Sequence, residues 1–393
     1  MSSRKGRASR EAHRSCATAF ASIALVLQGG GALGAYQAGV YEALAERGIE
    51  PTWVSGISIG AINAAIIAGN APADRVGKLR AFWELVSDDR GWSEGLARFW
   101  PGDMHRGMIN QIAAASIIAR GVPGFFTPQI PPPYLAPAGS AAATSWYETA
   151  ALKQTLETLV DFDRIKAREM RFSVGAVNVR SGNFAYFDNA DDIIRAEHIM
   201  ASGALPPGFP AVEIDGEHYW DGGLVSNTPL EWVLSAQSQL DTLVLQIDLW
   251  SARGQLPRDL NEVAIRMKDV QFSSRTRAAT NEFREIQKLR AAFSELHALL
   301  PDDLKATPQA RLLAEHSDPA LYNIVQLVYA PPAYEGQSKD YEFSRGTMED
   351  HWRAGYRDAC LSLDHPEVTA LPTGAESVQV FDFTSIVHKD NEP

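Results

Sequence analysis

Two glycine turns, each placed directly after a short apolar run, constrain this fold more than any other feature of the sequence. Ile23 to Leu27, IALVL, is continuously apolar rather than alternating, the pattern of a strand buried on both faces. Gln28-Gly29-Gly30-Gly31-Ala32-Leu33-Gly34 follows. A helix is predicted from about Ala32 to Arg47, with Leu33, Tyr36, Val40 and Leu44 on one face and Gly48 at the stop position. Pro51 to Ile57 supplies a second strand, and the apolar segment Ala61 to Ala68 a second, buried helix closed by Gly69. Strand, turn, helix, strand is a βαβ unit with parallel strands, so both turns fall at the same C-terminal edge of the sheet.

The second turn is Gly56-Ile57-Ser58-Ile59-Gly60. A serine with a glycine two positions away on each side fits a strand that turns abruptly into a helix, too crowded for a Cβ at either flank. Ser58 then stands on an elbow at a helix N-terminus, where free N–H groups favour the anion formed when a hydroxyl attacks a carbonyl. The first turn also satisfies the dinucleotide pattern G-x-G-x-x-G through Gly29, Gly31 and Gly34. That pattern needs an acidic residue at the end of the second strand, and this strand ends in Gly-Ile-Ser. In the competing reading, the bare amides of Gly29, Gly30 and Gly31 face Ser58 as an oxyanion hole.

A length of 393 residues with 45% hydrophobic content accommodates one large α/β domain with additions, or two domains. The net charge of −12 argues against a general affinity for nucleic acid or for an anionic membrane, so any lipid contact must be local. Cys16 and Cys360 offer neither a disulfide framework nor metal-ligand spacing, which fits a reducing, cytoplasmic setting. The nine histidines form no metal-type cluster, and no apolar run reaches the roughly 18 residues that span a bilayer. The basic residues before Ala17 to Leu27 loosely mimic a secretory signal, but that run leads unbroken into a turn that needs a strand before it. Residues 1–20 are therefore read as a disordered basic extension.

Downstream, residues 91–147 form an apolar, aromatic and proline-broken insertion that either packs on the domain or forms a lid. Arg171 to Val179 and Asn183 to Phe187 are predicted as paired strands, and Ala190 to Met200 as a helix. Asp215-Gly216 marks a hairpin whose returning arm delivers Asp221-Gly222-Gly223. Thr242 to Leu249 and Asn323 to Tyr329 are strands, and 260–300 is helical with an apolar stripe at Phe283, Ile286, Leu289, Phe293, Leu296 and Leu300, read as core or as a partner face. Ser58 needs a base. His198, His218 and His351 sit in helix-like or hairpin-arm positions rather than in motif-like turns. Asp221 ends a strand before two glycines, with a loop-capping role as the competing reading. As a base it requires burial to raise its carboxyl.

Gly29 to Gly34 after a strand, Gly56 to Gly60, and Asp221-Gly222-Gly223, in this order, resemble patatin-like phospholipases over about Ile23 to Leu249. The resemblance implies a three-layer α/β fold, with a mostly parallel central sheet flanked by helices. It further implies a Ser58–Asp221 dyad acting through an acyl-enzyme on lipid or lysophospholipid esters, with Gly29 to Gly31 holding the oxyanion and neither a metal nor a cofactor in the chemistry. Leu33 stands where the family often carries Arg or Lys, so an anionic substrate group lacks a contact there. The catalytic domain would span 21–250. Residues 251–393 would form a mainly helical addition packed on the core, and a bacterial subset of the family carries such an extension. Peripheral membrane contact and an oligomer through that addition are compatible with this reading. Its rivals are a short-chain or hydroxyacyl polyester esterase and a non-catalytic lipid-binding scaffold.

Overall fold

Eleven strands are formed among the described residues of the computed structural model, which are 18–87, 103–235, 239–273, 276–332, 335–373 and 376–383. Only the backbone is described at 103–109 and 276–279. Residues 1–17 of the basic extension and 88–102 of the insertion lie outside this set. Strand β1 (Ser22–Leu27) runs into the glycine turn and the helix Ala35–Glu46, and β2 (Trp53–Gly56) into the helix Ile59–Ala68. The helices Pro72–Val86 and Asp103–Arg120 follow, then a two-stranded ribbon of β3 (Thr127–Pro128) and β4 (Tyr147–Glu148). Next come β5 (Arg171–Asn178), β6 (Phe184–Asp188), β7 (Val212–Ile214), β8 (Glu217–Asp221) and β9 (Thr242–Asp248). The C-terminal part adds the helices Leu260–Phe272 and Thr276–Leu299, β10 (Tyr322–Val328), the helix Arg345–Leu363 and β11 (Val378–Phe381).

Apart from the ribbon, the strands form one sheet in the order β11-β10-β9-β1-β2-β5-β8-β7, with β6 also paired to β5. From β11 to β5 every neighbouring pair is parallel, and the hairpins of β6, β7 and β8 are antiparallel. Alternation along β1 shows why its sequence is apolar throughout. Ile23, Leu25 and Leu27 enter a core shared with the helices Ala35–Glu46 and Ile59–Ala68, while Ala24 and Val26 enter a second core with Leu230, Val233, Phe283 and Tyr322. The result is the predicted three-layer arrangement. All ten residues of Ile59–Ala68 are buried, as expected of a helix apolar nearly all round. No helix of the described residues is long and apolar enough to cross a membrane.

The C-terminal part is mainly helical, yet two of its strands extend the sheet, and one of its helices packs on the first helix of the chain. Helix Arg345–Leu363 meets helix Ala35–Glu46 through reciprocal glycines, where a Cβ at Gly39 would lie 1.9 Å from the Trp352 carbonyl oxygen and one at Gly355 1.9 Å from that of Tyr36. Gly355→Ala is therefore expected to force these helices apart and destabilise the protein by about 1–3 kcal/mol, read as a lowered melting temperature. The stripe of Thr276–Leu299 divides: Phe283 is buried against Tyr322, whereas Ile286, Leu289 and Leu296 are exposed. The helix Asp103–Arg120 occupies the proline-free stretch between Pro101 and Pro123 and differs from the aromatic, proline-broken character expected of that region.

Candidate active site

β1 lies between β2, the next strand in the chain, and β9, a much later one, so the sheet changes direction at β1. Open α/β sheets place ligand crevices outside the C-terminal strand ends at such a switch point. Here both glycine turns are found. β2 ends at Gly56 and the helix starts at Ile59, leaving Ile57 and Ser58 to reverse the chain. Ser58 takes φ 55° and ψ −123°, a conformation that side chains other than glycine rarely adopt. A Cβ on Gly56 would sit 2.3 Å from the Gly60 carbonyl oxygen, and one on Gly60 the same distance from that of Leu27. Both flanking glycines are required for steric reasons, and the Ser58 N–H donates to Ser202 Oγ at 3.0 Å.

Sheet register brings the distant acid to the same place. β2 pairs with β5 as far as Gly56 opposite Val174, and β8 pairs with β5 from Asp221 opposite Ala176. Since β6 occupies the other edge at Ala176, β8 continues the edge on which β2 ends, and Asp221 falls level with a point two residues past Gly56. Asp221 is buried, and its Oδ1 accepts the Gly223 N–H at 2.7 Å, so it also caps its own turn. Burial pushes its carboxyl from the ordinary 3.8 up to about 7, against the opposing pull of the Gly223 amide and the Ser58 hydroxyl.

The glycine turn closes the third side. A Cβ on Gly29 would lie 2.3 Å from Asn227 Oδ1 and 3.0 Å from Ser58 Cβ, so only a bare backbone fits between them. The Gly29 N–H donates to the Asn227 carbonyl at 3.2 Å, which leaves the amides of Gly30 and Gly31 without an acceptor among the described residues. The Gly29 carbonyl is held by Asn227 Nδ2 at 3.0 Å and Trp250 Nε1 at 2.9 Å. Gln28, the one polar residue after the apolar run of β1, accepts the backbone N–H groups of Leu249 and Trp250 at 2.6 and 2.9 Å.

Ser58, Asp221 and Gly29 to Gly31 line one cavity of about 340 Å³. Its walls are mostly apolar. Ile117, Phe125, Phe126 and Tyr147 come from the insertion, Leu205 to Phe209 from the loop before β7, and Phe272, Tyr341 and Phe343 from the C-terminal part. The described portion of the insertion thus both packs, with Phe125 and Phe126 against Phe209, and walls the cavity. Asp221 and Asp340 are the charged residues among the lining, and no histidine is among them. His198 is buried, its Nδ1 accepting the Arg195 N–H, His218 is exposed, and His351 is buried behind the glycine turn. Leu33 is fully buried and offers nothing to a substrate. No group of three or more His, Cys, Asp or Glu residues among the described ones is arranged to hold a metal ion.

Sequence reasoning missed Gln28, Asn227, Trp250 and Asp340. A glutamine closing a strand that is otherwise buried and apolar was a usable signal, since a buried amide must be satisfied. The others carry no local signal, because their partners are far away in the chain.

Residues 25–234 match the family model described as patatin-like phospholipase, and residues 270–374 one described as patatin phospholipase. No curated protein matches the chain. Among solved structures it is similar to VipD from Legionella pneumophila, at 18% identity over 88% of this chain and 67% of that one, with a TM-score of 0.39. It is also similar to human GIVD cytosolic phospholipase A2, at 12% identity over 58% and 42% with a TM-score of 0.32. A third is ExoU in its complex with SpcU from Pseudomonas aeruginosa, at 18% identity over 75% and 58% with a TM-score of 0.28. The chain spans about two thirds of the first of these structures and less of the other two.

Proposed function

Since the chain belongs to the patatin-like phospholipase family, a family of lipid acyl hydrolases, we propose that it cleaves lipid acyl esters through a Ser58–Asp221 dyad. The observation that carries this reading is the meeting of a serine on a strained elbow, a buried carboxyl and two unengaged amides in one apolar cavity. Asp221 takes the Ser58 proton as Oγ attacks the ester carbonyl, and the amides of Gly30 and Gly31 receive the oxyanion. The protonated Asp221 then returns the proton to the leaving alkoxide. Water, with Asp221 again as base, releases the fatty acid from the acyl-serine.

The surface beside the mouth supports a lipid substrate. On the helix Leu260–Phe272, Leu260, Val263, Met267 and Val270 are exposed at helical spacing, while Arg266 bonds the carbonyls of Ser251 and Ala252, and Lys268 and Asp269 pair with Asp340 and Lys339. Arg266, Lys268 and Asp269 are thus turned to the protein while four apolar side chains face solvent, and the helix ends at Phe272 in the cavity wall. A surface of this kind inserts shallowly into a lipid interface. With Asp221 and Asp340 as its charged residues and no basic one, the cavity lining offers nothing to pair with an anionic group beside the ester, which suits an uncharged acyl chain and would equally suit a hydroxyacyl or short-chain ester.

Hydrolysis of neutral phospholipid vesicles, compared with soluble nitrophenyl esters of increasing length, separates these substrates. The expected profile rises with chain length, and Met267→Glu lowers turnover on vesicles by about tenfold or more while leaving the soluble esters unchanged. A preference for the shortest esters, with Met267→Glu equal to wild type on vesicles, would instead assign the soluble-ester reading.

A further inference from the structure

The glycine turn is gripped from behind by the C-terminal part of the chain. The Ala32 N–H donates to the Asp340 carbonyl at 2.8 Å, and the Ala32 carbonyl faces His351 Nδ1 at 3.2 Å. Both polar backbone groups of the residue after Gly31 are therefore taken by partners far downstream. The Asp340 carbonyl approaches so closely that a Cβ on Gly31, at φ +57°, would lie 2.0 Å from it. On its other side, His351 Nε2 faces Glu335 Oε1 at 3.0 Å, and the same oxygen accepts the Tyr329 hydroxyl at 2.7 Å. A carbonyl and a carboxylate can only accept, so each ring nitrogen of His351 carries a hydrogen and the ring is an imidazolium paired with Glu335.

We propose that His351 and Asp340 are positioning residues for ester hydrolysis, holding the Ala32 peptide so that the Gly30 and Gly31 amides stay aimed at the developing oxyanion. The C-terminal part then completes the oxyanion turn as well as extending the sheet. This rests on the reading of Ser58 as nucleophile. The titratable and charged groups facing His351 are Glu335 and Glu342 from the preceding loop and Tyr329 after β10. Burial alone would lower the histidine, but Glu335, the Ala32 carbonyl and Glu342 together hold it above its ordinary value. Burial would likewise raise Glu335, and His351, Tyr329 and Lys339 outweigh it and hold the carboxyl down.

A pH-dependent consequence follows. The clamp is complete while His351 is protonated and is lost as pH rises through its raised value. A neutral His351 must keep its hydrogen on Nε2 for the Glu335 carboxylate, which turns a bare Nδ1 toward the Ala32 carbonyl. Glu335→Gln removes that conflict, because the amide can donate to Nε2 and leave the hydrogen on Nδ1.

The test uses the full chain and a soluble nitrophenyl ester, with fluorophosphonate labelling of Ser58 as a second readout. Wild type should show an alkaline fall in kcat that Glu335→Gln abolishes, while Glu335→Gln keeps near-wild-type kcat at neutral pH. Removing His351 alone strands a buried carboxylate and can prevent folding, so the neutral pair His351→Gln with Glu335→Gln is compared instead. That double variant should lose about 10²-fold in kcat and in labelling rate, with KM and melting temperature little changed. A folded double variant with wild-type kcat, or an alkaline limb unaltered in Glu335→Gln, would overturn the proposal. Wild-type protein that does not label at Ser58 would remove the hydrolase reading itself, a separately visible result.

Discussion

Ser58→Ala is expected to reduce ester hydrolysis by at least about 10⁴-fold and to abolish covalent labelling by a fluorophosphonate, with the melting temperature unchanged. The expected size follows from the geometry. Ser58 stands half-buried on an elbow whose φ of 55° is imposed by Gly56 and Gly60 and fastened by Ser202, so its hydroxyl sits in the cavity with little freedom. Alanine adopts the same backbone with the same strain and removes only the Oγ that would form the acyl bond. Labelling that persists in the variant would move the nucleophile elsewhere, and the dyad would fall with it.

Asp221→Asn is expected to lower kcat/KM by about 10²–10⁴-fold and, unlike most active-site changes, to stabilise the protein above neutral pH. In wild type the buried carboxyl sits at about 7 rather than 3.8, so between these values the folded state holds a proton that the unfolded chain has released. The stabilisation from that proton is complete below the unfolded value and is lost as pH rises through the folded one. Above pH 7 the native protein carries a buried anion, and asparagine removes that burden. Thermal melts of the two proteins across pH should therefore diverge from about pH 4 upward, level off past about pH 7, and differ by a few kcal/mol there. The same titration sets the rising limb of activity in wild type, because only the ionised carboxylate can accept the Ser58 proton. Parallel melts at every pH would show that Asp221 is not titrating in this range.

Much of this site was legible because it depends on short-range sterics. The apolar run of β1, the glycine pair around Ser58 and the Asp215-Gly216 hairpin are local signals, and the hairpin takes positive φ at both turn residues as its type demands. The helix Asp103–Arg120 escaped because the neighbouring prolines dominated the reading of that region. The stripe of Thr276–Leu299 was only half legible: periodicity identifies an apolar face, but what covers it is decided elsewhere, and there Phe283 found Tyr322 while Ile286 and Leu289 found solvent.

By itself the sequence determined the two turns and the elbow, since whether a Cβ at Gly56 fits against Gly60 is settled by atoms within the elbow itself. Tertiary structure alone decided that Asp221 falls level with Ser58, that its carboxyl is lifted to about 7, and that Asn227, Trp250, Asp340 and His351 brace the glycine turn. Desolvation and long-range hydrogen bonding depend on what packs around a group, and here the packing comes from residues that the chain places far from the turn.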